Sequence, residues 1–177
     1  YVRMFTSGNV PYLGTFPEVN IRTYVRHQGV PYVWFFSLDI PRVLPVAVAK
    51  TAFALPYRWA KVDHTVDDRS VTTTTRRRFG DAHAATAATL GGDVVPDELD
   101  VFLTARWGLL AATRGSIVEA KIHHGPWQLR SAELVEFEEH LSQSAGIPSW
   151  VPERVRFSDG LPVTIDRPRR VGARVRS

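Results

Sequence analysis

The stretch 18-EVNIRTYVRHQGVPYVWFFSLDI-40 contains two strand-like segments joined by a short polar turn. Residues 18–25 alternate between polar and apolar types, whereas residues 32–40 are almost continuously apolar. Alternation is typical of a strand with one polar face, and a short apolar run is typical of a strand buried on both faces. Because Gly29 and Pro31 are turn formers, the stretch predicts an antiparallel hairpin with a buried second strand.

The polar face of the first strand is the feature with most functional interest. Successive side chains of a strand point to opposite faces, so Glu18, Asn20, Arg22 and Tyr24 share one face. On the wet side of a sheet these residues would be ordinary. In a curled sheet the same face points inward, where the polar groups can satisfy one another or hold a polar ligand. Periodicity alone leaves both interpretations open.

The rest of the chain predicts more strands and a few short helices. Further hairpins are expected around Asp67-Asp68, within residues 109–124 and around Asp159-Gly160. Short helices are expected over residues 46–55, ending at Pro56, and from Asp97 onward, with a helical turn before Gly146. Residues 80–92 are predicted to form a strand followed by a loop at Gly91-Gly92. The sum is an α+β protein, mainly antiparallel β, forming a curled sheet or barrel with two or three short helices.

Length and composition favour one ordinary globular domain over residues 1–177. Hydrophobic residues make up 44% of the chain and charged residues 23%. No apolar run reaches the ~20 residues that cross a bilayer, so no membrane association is expected. Cysteine is absent, which excludes disulfides and thiolate chemistry, and a cytoplasmic location is the default expectation. Because the chain starts at Tyr1 in a strand-like segment, we expect that an N-terminal segment is missing.

Basic residues are plentiful without forming a nucleic-acid signature. The net charge is +4, and only Lys50, Lys61 and Lys121 among the basic residues are lysines. The arginine clusters at 76–78 and 167–176 lack interleaved aromatic residues and a recognisable binding motif. A solvated basic surface is therefore the favoured interpretation, and a nucleic-acid partner is not expected.

Sequence motifs for nucleotide, hydrolase and metal chemistry are missing. There is no G-x-S-x-G, P-loop or G-x-G-x-x-G pattern. His123 and His124 are adjacent and would face opposite ways in a strand, and His140 has no partner at metal-ligand spacing. We therefore predict no metal and no cofactor, although one histidine of the pair could act as an acid or base. Lys61 and Lys121 are either Schiff-base candidates or surface lysines.

Five segments together resemble a known family. They are FPEVNIRTYV (16–25), GVPYVWFFSLD (29–39), ALPYRWAKV (54–62), FLTARW (102–107) and KIHHGPWQL (121–129). In this order they resemble the YqjF-like family of uncharacterised bacterial proteins, over about residues 10–171. That group is similar to the acetoacetate decarboxylase-like superfamily. The resemblance implies a curled antiparallel sheet or cone around a central cavity.

The resemblance also implies a modified site. In the decarboxylases one cavity lysine forms a Schiff base and a second lysine lowers its pKa. Aligned on Pro56, these lysines correspond to Tyr57 and Arg58, while a helix arginine corresponds to Lys50. The cavity glutamate of the decarboxylases matches Glu18. A tyrosine cannot form an imine, so the Schiff-base reaction is not carried over.

These considerations predict a polar cavity that holds a small keto or carboxylic acid. One alternative is a lyase-like enzyme acting on a carbonyl or carboxylate substrate, and the other is a non-catalytic small-molecule-binding or interaction protein. A homo-oligomer is left open. Lys61 lies four residues beyond Tyr57 and is expected on the same side of the strand. The candidate catalytic residues are Glu18, as acid or base, and Tyr57, as proton donor; the candidate substrate-binding residues are Asn20, Arg22, Arg58 and Lys61.

Overall fold

The computed structural model of the protein describes residues 4–5, 16–42, 55–113 and 116–173. Strands dominate these residues, together with one α-helix and one 3-10 turn (Gln143–Ala145). The elements are β1 (Met4–Phe5), β2 (Val19–His27), β3 (Val30–Ile40), β4 (Tyr57–Val66), β5 (Ser70–Arg77), β6 (His83–Val94), α1 (Glu98–Thr104), β7 (Gly108–Thr113), β8 (Ser116–His123), β9 (Leu129–Glu139), β10 (Arg156–Phe157), β11 (Val163–Ile165) and β12 (Arg169–Ala173).

The twelve described strands form one mixed sheet. Its main path runs β1-β11-β8-β7-β3-β4-β5-β6-β9-β10, with β12 added to β8 and β2 added to β3. Most pairs are antiparallel, as expected, but β3 is parallel to both β4 and β7, and β1 is parallel to β11. Within the described residues no pairing joins β10 back to β1. The sheet is therefore open, and the barrel alternative is wrong for this part of the chain.

The open sheet is nevertheless strongly curled. Four strand-to-strand steps separate β11 from β4, a distance of about 19 Å in a flat sheet at ~4.8 Å a step. Yet Tyr57 of β4 and Val163 of β11 belong to one buried cluster and line one cavity. The concave face of the sheet must therefore wrap around them. This curl turns the inward face of β2 into a cavity wall.

Three predicted hairpins are confirmed. β2 pairs with β3 from Val19–Asp39 to His27–Val30, β4 pairs with β5, and β7 pairs with β8, all antiparallel. The turn between β2 and β3 contains Gln28 and Gly29, both with positive φ. Glycine adopts this conformation without steric cost, which explains its presence there.

Two predictions are wrong, namely the hairpin around Asp159-Gly160 and the loop at Gly91-Gly92. Residues on the two sides of Asp159-Gly160 form β10 and β11, which pair with β9 and β8 and not with each other. The two glycines lie inside β6, where its register with β9 shifts between Leu90 and Asp93. A glycine pair inside a strand is a frequent sign of such a bulge, and the sequence interpretation had treated it as a loop.

Helix α1 begins as predicted and is held by its capping residues. The Asp97 side chain accepts a hydrogen bond from the backbone N–H of Asp100, and the Asp100 side chain accepts one from the N–H of Asp97. Asp100 is buried and also pairs with Arg154 and Arg156. The predicted helix over 46–55 falls almost wholly outside the described residues. No described helix is long and apolar enough to span a membrane.

Candidate active site in the concave face

A cavity lies in the concave face of the sheet, between β2, β3, β4, β7, β8, β11 and the C-terminal end of α1. Its volume is about 60 Å³, room for a few water molecules or a small organic compound. The described lining is mostly apolar and includes a few polar and charged side chains. The residues of the described lining are Glu18, Arg22, Tyr24, Val33, Phe35, Leu38, Leu55, Tyr57, Leu103, Thr104, Arg106, Leu109, Ile122, His124, Trp127, Val163 and Ile165.

Glu18 provides the carboxyl group of this cavity and is 8% exposed. Its Oε2 accepts a hydrogen bond of 3.3 Å from the Tyr57 hydroxyl, and its Oε1 accepts one of 3.1 Å from Asn20 Nδ2. Burial raises the pKa of Glu18 from 4.5 to about 7, although both hydrogen bonds act in the opposite direction. Near neutral pH this carboxyl group is therefore able both to give and to take a proton.

Tyr57 is a permanent hydrogen-bond donor in this site. The side chain is 1% exposed, and burial, followed by the nearby Glu18, raises the pKa of its hydroxyl well above 10. A phenol with so high a pKa keeps its proton across the neutral range. Of the two residues predicted to be catalytic, Glu18 thus has the titratable group and Tyr57 has a fixed O–H donor.

A bulge in β3 shifts the alternation of its side chains. As a result, apolar residues of β3 face the same cavity as the polar residues of β2. Ile21 pairs with Ser37 and Arg22 pairs with Phe35, so Phe36 is the extra residue. The bulge changes which residues of β3 face the cavity, and both Phe35 and Leu38 line it although they are three positions apart. Simple alternation along β3 would have assigned these two residues to opposite faces.

The mouth of the cavity is built where α1 meets β2. The Tyr24 hydroxyl donates to the carbonyl of Leu103 at 2.9 Å, and Arg22 Nη2 donates to the same oxygen at 3.4 Å. The Arg106 guanidinium lies over the rings of Tyr24 and Phe102, with its carbon 5.0 Å and 4.3 Å from their centroids. These contacts fix two guanidinium groups beside the opening.

The two guanidinium groups have no ion-pair partner among the described carboxylates. The buried Nε of Arg106 also has no hydrogen-bond acceptor among the described residues. Burial lowers the pKa of Arg106, and the positive charges of nearby Arg26 and Arg22 act in the same direction. An unpaired, partly buried guanidinium beside a cavity is a suitable site for an anion.

Two aromatic residues of the lining, His124 and Trp127, follow the end of β8. His124 lies between the indoles of Trp107 and Trp127, with centroid distances of 6.0 Å and 5.9 Å. Its Nε2 lies 3.1 Å from the carbonyl oxygen of Arg106, and its Nδ1 lies 2.7 Å from that of Gly125. The imidazole of His124 thus connects the backbone at Arg106 with the residues that follow β8.

Two of the predicted binding residues lie outside the cavity. Arg58 is exposed, because it follows Tyr57 in β4 and points away from the concave face. Lys61 is 65% exposed and its Nζ lies 2.8 Å from Asp63 Oδ2. The expectation that Lys61 faces the same side as Tyr57 is wrong. After Trp59, β4 leaves β3 and pairs with β5, and the buried positions shift to Ala60 and Val62.

The other predicted site residues lie at the cavity, and all of them except Asn20 belong to its described lining. Glu18, Arg22 and Tyr57 are part of the described lining, and Asn20 reaches it through its hydrogen bond to Glu18. No lysine occurs in the described lining. Lys121 is exposed, and Lys50 falls outside the described residues.

Sequence reasoning missed Arg106 and Trp127 as lining residues, and it considered His124 only as one of an adjacent pair, without placing it beside Glu18. A signal for them existed, because Arg106 lies in FLTARW and the other two lie in KIHHGPWQL, two of the segments that carry the family resemblance. The residues are distant from β2 in sequence and their elements are uninformative when considered alone. Only the curl of the sheet brings them to the same opening.

Comparison with known proteins finds a matching family model and a similar sequence. A family model designated DUF2071 and described as "Uncharacterized conserved protein" matches residues 1–162. "Uncharacterized protein YqjF" from Bacillus subtilis (strain 168) is 36% identical over 129 residues, which are 70% of this chain and 53% of that protein. The chain thus spans about half the length of this relative.

A solved structure shares the fold. The acetoacetate decarboxylase from Legionella pneumophila subsp. pneumophila str. Philadelphia 1 superposes with a TM-score of 0.65 at 15% sequence identity. The match covers 90% of this chain and 68% of the decarboxylase. The curled, mainly antiparallel sheet predicted from the resemblance is confirmed as a fold of the acetoacetate decarboxylase type.

Proposed function

This chain belongs to the DUF2071 family of uncharacterized conserved proteins, and from that premise we propose that it binds a small keto acid in the cavity beside Glu18. One observation carries the proposal. A buried carboxyl group with a tyrosine donor lies in the same mostly apolar cavity as two guanidinium groups that form no ion pair with a described carboxylate. A keto acid has the matching groups, a carboxylate and a carbonyl, separated by a short carbon chain.

The charges of the cavity favour one orientation of such a ligand. The ligand carboxylate would accept hydrogen bonds from Arg22 and Arg106, because paired guanidinium donors bind carboxylates strongly. Its short carbon chain would pack against Phe35, Leu109 and the other apolar residues of the lining. The carbonyl would then lie near Glu18 and Tyr57. The small volume of the cavity supports a ligand of only a few carbon atoms.

We further propose that Glu18 transfers a proton at the carbon next to the ligand carbonyl. The ionised Glu18 takes that proton, so a C–H bond breaks and an O–H bond forms on the carboxyl group. The electron pair moves to the carbonyl oxygen, and the resulting enolate accepts the hydrogen bond that Tyr57 otherwise donates to Glu18. A pKa of Glu18 near 7 suits both directions of this transfer. The reaction class is proton abstraction next to a carbonyl, without an imine.

Binding is tested with three compounds of similar size. Acetoacetate has both groups, butyrate has only the carboxylate, and 2-pentanone has only the carbonyl. We expect ligand-detected NMR titrations to give the tightest binding for acetoacetate, with each single-group analogue at least about tenfold weaker. Equal affinities for the three compounds, or no binding of any, would contradict the proposal.

Proton transfer is tested by exchange in D₂O. Incubation of the protein with levulinate (4-oxopentanoate), whose carbonyl and carboxylate are separated by two carbon atoms, should incorporate deuterium at the carbons next to the carbonyl, as followed by the loss of their proton signals. Glu18→Gln should slow this exchange at least about a hundredfold, because the contribution of a positioned acid or base is of this size. The exposed Glu136→Gln is the matched control and should leave the rate unchanged. Exchange that persists in Glu18→Gln would assign the step to another group.

A non-catalytic binding protein is the second candidate. The lack of a lysine in the described lining favours it, because the Schiff-base step of the decarboxylases needs a neutral amine in the cavity. Binding of acetoacetate without any deuterium exchange would support this candidate. Borohydride reduction in the presence of acetoacetate adds a separate check, since an adduct on any of the three lysines would contradict a mechanism without an imine.

A further inference from the structure

We propose that His83, Glu138 and His140 bind one divalent transition-metal ion at the edge of the sheet, away from the cavity. His83 is the first residue of β6, Glu138 lies near the end of β9, the strand that pairs with β6, and His140 directly follows β9. The backbone N–H of His140 donates to the carbonyl of His83 at 2.9 Å. The two histidines are therefore direct cross-strand neighbours, and Glu138 shares their face because it lies two residues before His140.

The donor atoms are spaced as metal ligands. Glu138 Oε1 lies 3.1 Å from His83 Nε2 and 3.4 Å from His140 Nε2. All three donor atoms lie within 4.8 Å of one another. Tetrahedral ligands at ~2.0–2.1 Å from a zinc ion are ~3.3 Å apart, which agrees with both measured distances. Little movement of the side chains is needed to place an ion between them.

A second contact fixes the imidazole that such an ion requires. His83 Nδ1 lies 2.7 Å from the carbonyl oxygen of Asp81. A neutral His83 that donates its Nδ1–H to this carbonyl leaves the lone pair of Nε2 directed at the cluster. Backbone carbonyls orient metal-binding histidines in the same way in known sites. Without a proton or a cation between them, His83 Nε2 and the Glu138 oxygen would present lone pairs to each other.

The surroundings favour an exchangeable ion over a buried structural one. The three side chains are 26%, 54% and 43% exposed, in the order His83, Glu138, His140. Two imidazoles and one carboxylate suit zinc and its neighbours in the first transition series, and not magnesium or calcium. The positive charge of nearby Arg76 opposes the binding of a cation. A bound ion would link the ends of β6 and β9 directly.

The test is a calorimetric titration of the metal-free protein with ZnCl₂, without an affinity tag. We expect one ion per chain at micromolar or lower dissociation constant and no binding of MgCl₂. His83→Gln and His140→Gln should each weaken zinc binding at least about tenfold, because each removes one of three ligands. His123→Gln is the matched control. His123 is also exposed and lies 3.0 Å from a carboxylate, Asp166, but has no second imidazole there.

Folding of each variant is checked by far-UV circular dichroism. Glu138→Gln provides an independent change, because it keeps the shape of the side chain and removes its charge, and it should also weaken binding. Long-range ¹H–¹⁵N NMR of the imidazoles should show zinc-induced shifts at His83 and His140 and at none of the other four histidines. Saturation only at millimolar zinc, or equal loss of affinity in His123→Gln, would overturn the proposal.

Discussion

At the residue scale the central group is the carboxyl of Glu18. It is buried in an apolar cavity, and two hydrogen bonds are not enough to restore the solvation that it loses. The protein therefore keeps a group with a pKa of about 7 at a position where a hydrophobic side chain would be more stable at high pH. Such a perturbed carboxyl in a cavity is a frequent property of functional sites.

The pH dependence of stability follows from this pKa. The unfolded chain ionises Glu18 near 4.5 and the folded protein near 7, so the folded state holds the extra proton between these values. The contribution of Glu18 to the free energy of unfolding is fully present below pH 4.5 and is lost as the pH rises through 7. Relative to Glu18→Gln, we expect the free energy of unfolding of the wild type to fall by roughly 3 kcal/mol between pH 4 and pH 8.

Urea unfolding at several pH values measures this difference directly. Glu136→Gln, on an exposed position of β9, is the control and should run parallel to the wild type over the same range. A difference between Glu18→Gln and the wild type that stays constant with pH would contradict the raised pKa.

Tyr57→Phe should raise the pKa of Glu18 further. The hydroxyl of Tyr57 stabilises the ionised carboxylate through its hydrogen bond, and its removal takes away one of the two described donors. Carboxyl ¹³C NMR should follow Glu18 titrating above its wild-type value. Tyr32→Phe is the control, because the Tyr32 hydroxyl donates to Glu119 and the ring is not among the described lining of the cavity. A lower pKa in Tyr57→Phe would refute the assigned hydrogen bond.

At the element scale, Gly108 at the start of β7 is set by close packing. A Cβ atom at this position would lie 2.7 Å and 2.8 Å from two ring carbons of Tyr32. That ring is buried and its hydroxyl is hydrogen-bonded to Glu119, so it cannot move away freely. We expect Gly108→Ala to lower the free energy of unfolding by about 1–3 kcal/mol, the usual cost of overpacking.

Gly92 in β6 provides the matched control for that substitution. A Cβ at Gly92 would have no heavy atom within 4 Å. Gly92→Ala should therefore leave stability unchanged or raise it slightly, since alanine restricts the unfolded chain. Urea midpoints of the two variants measure the contrast. Equal loss in both would show that backbone conformation, and not the ring of Tyr32, decides the effect.

Elements whose conformation is determined by residues within or next to them could be predicted from the sequence. The hairpin of β2 and β3 has a glycine turn and a clear apolar period, and α1 has Asp97 as its cap. Elements whose pairing is decided by distant strands could not. β10 and β11 look like a hairpin around Gly160, but each finds a longer partner elsewhere in the sheet. Lys61 points away from the side that Tyr57 faces, because β4 changes its pairing partner from β3 to β5 between these two residues. A strict two-residue alternation along the strand cannot anticipate this change.

At the scale of the whole molecule, the curl of the open sheet creates the site. It brings the polar face of β2, Tyr57 of β4 and the segment of Arg106 to one cavity, although these are far apart in sequence. Glu18 and Tyr57 were accessible to prediction because they align with the decarboxylase motifs. Arg106 lies in one of the five family segments, but that segment alone does not place it at the cavity, because its position depends on where α1 ends relative to β2.

The central claim is that this cavity binds a keto acid through its guanidinium groups. The most direct test compares acetoacetate and 2-pentanone as ligands of the double variant Arg22→Gln/Arg106→Gln. Because the ketone lacks a carboxylate, it reports whether the cavity itself is intact. We predict by ligand-detected NMR that the affinity for acetoacetate falls at least about tenfold while that for 2-pentanone is unchanged. An unchanged affinity for acetoacetate, or an equal loss for both compounds, would contradict the account.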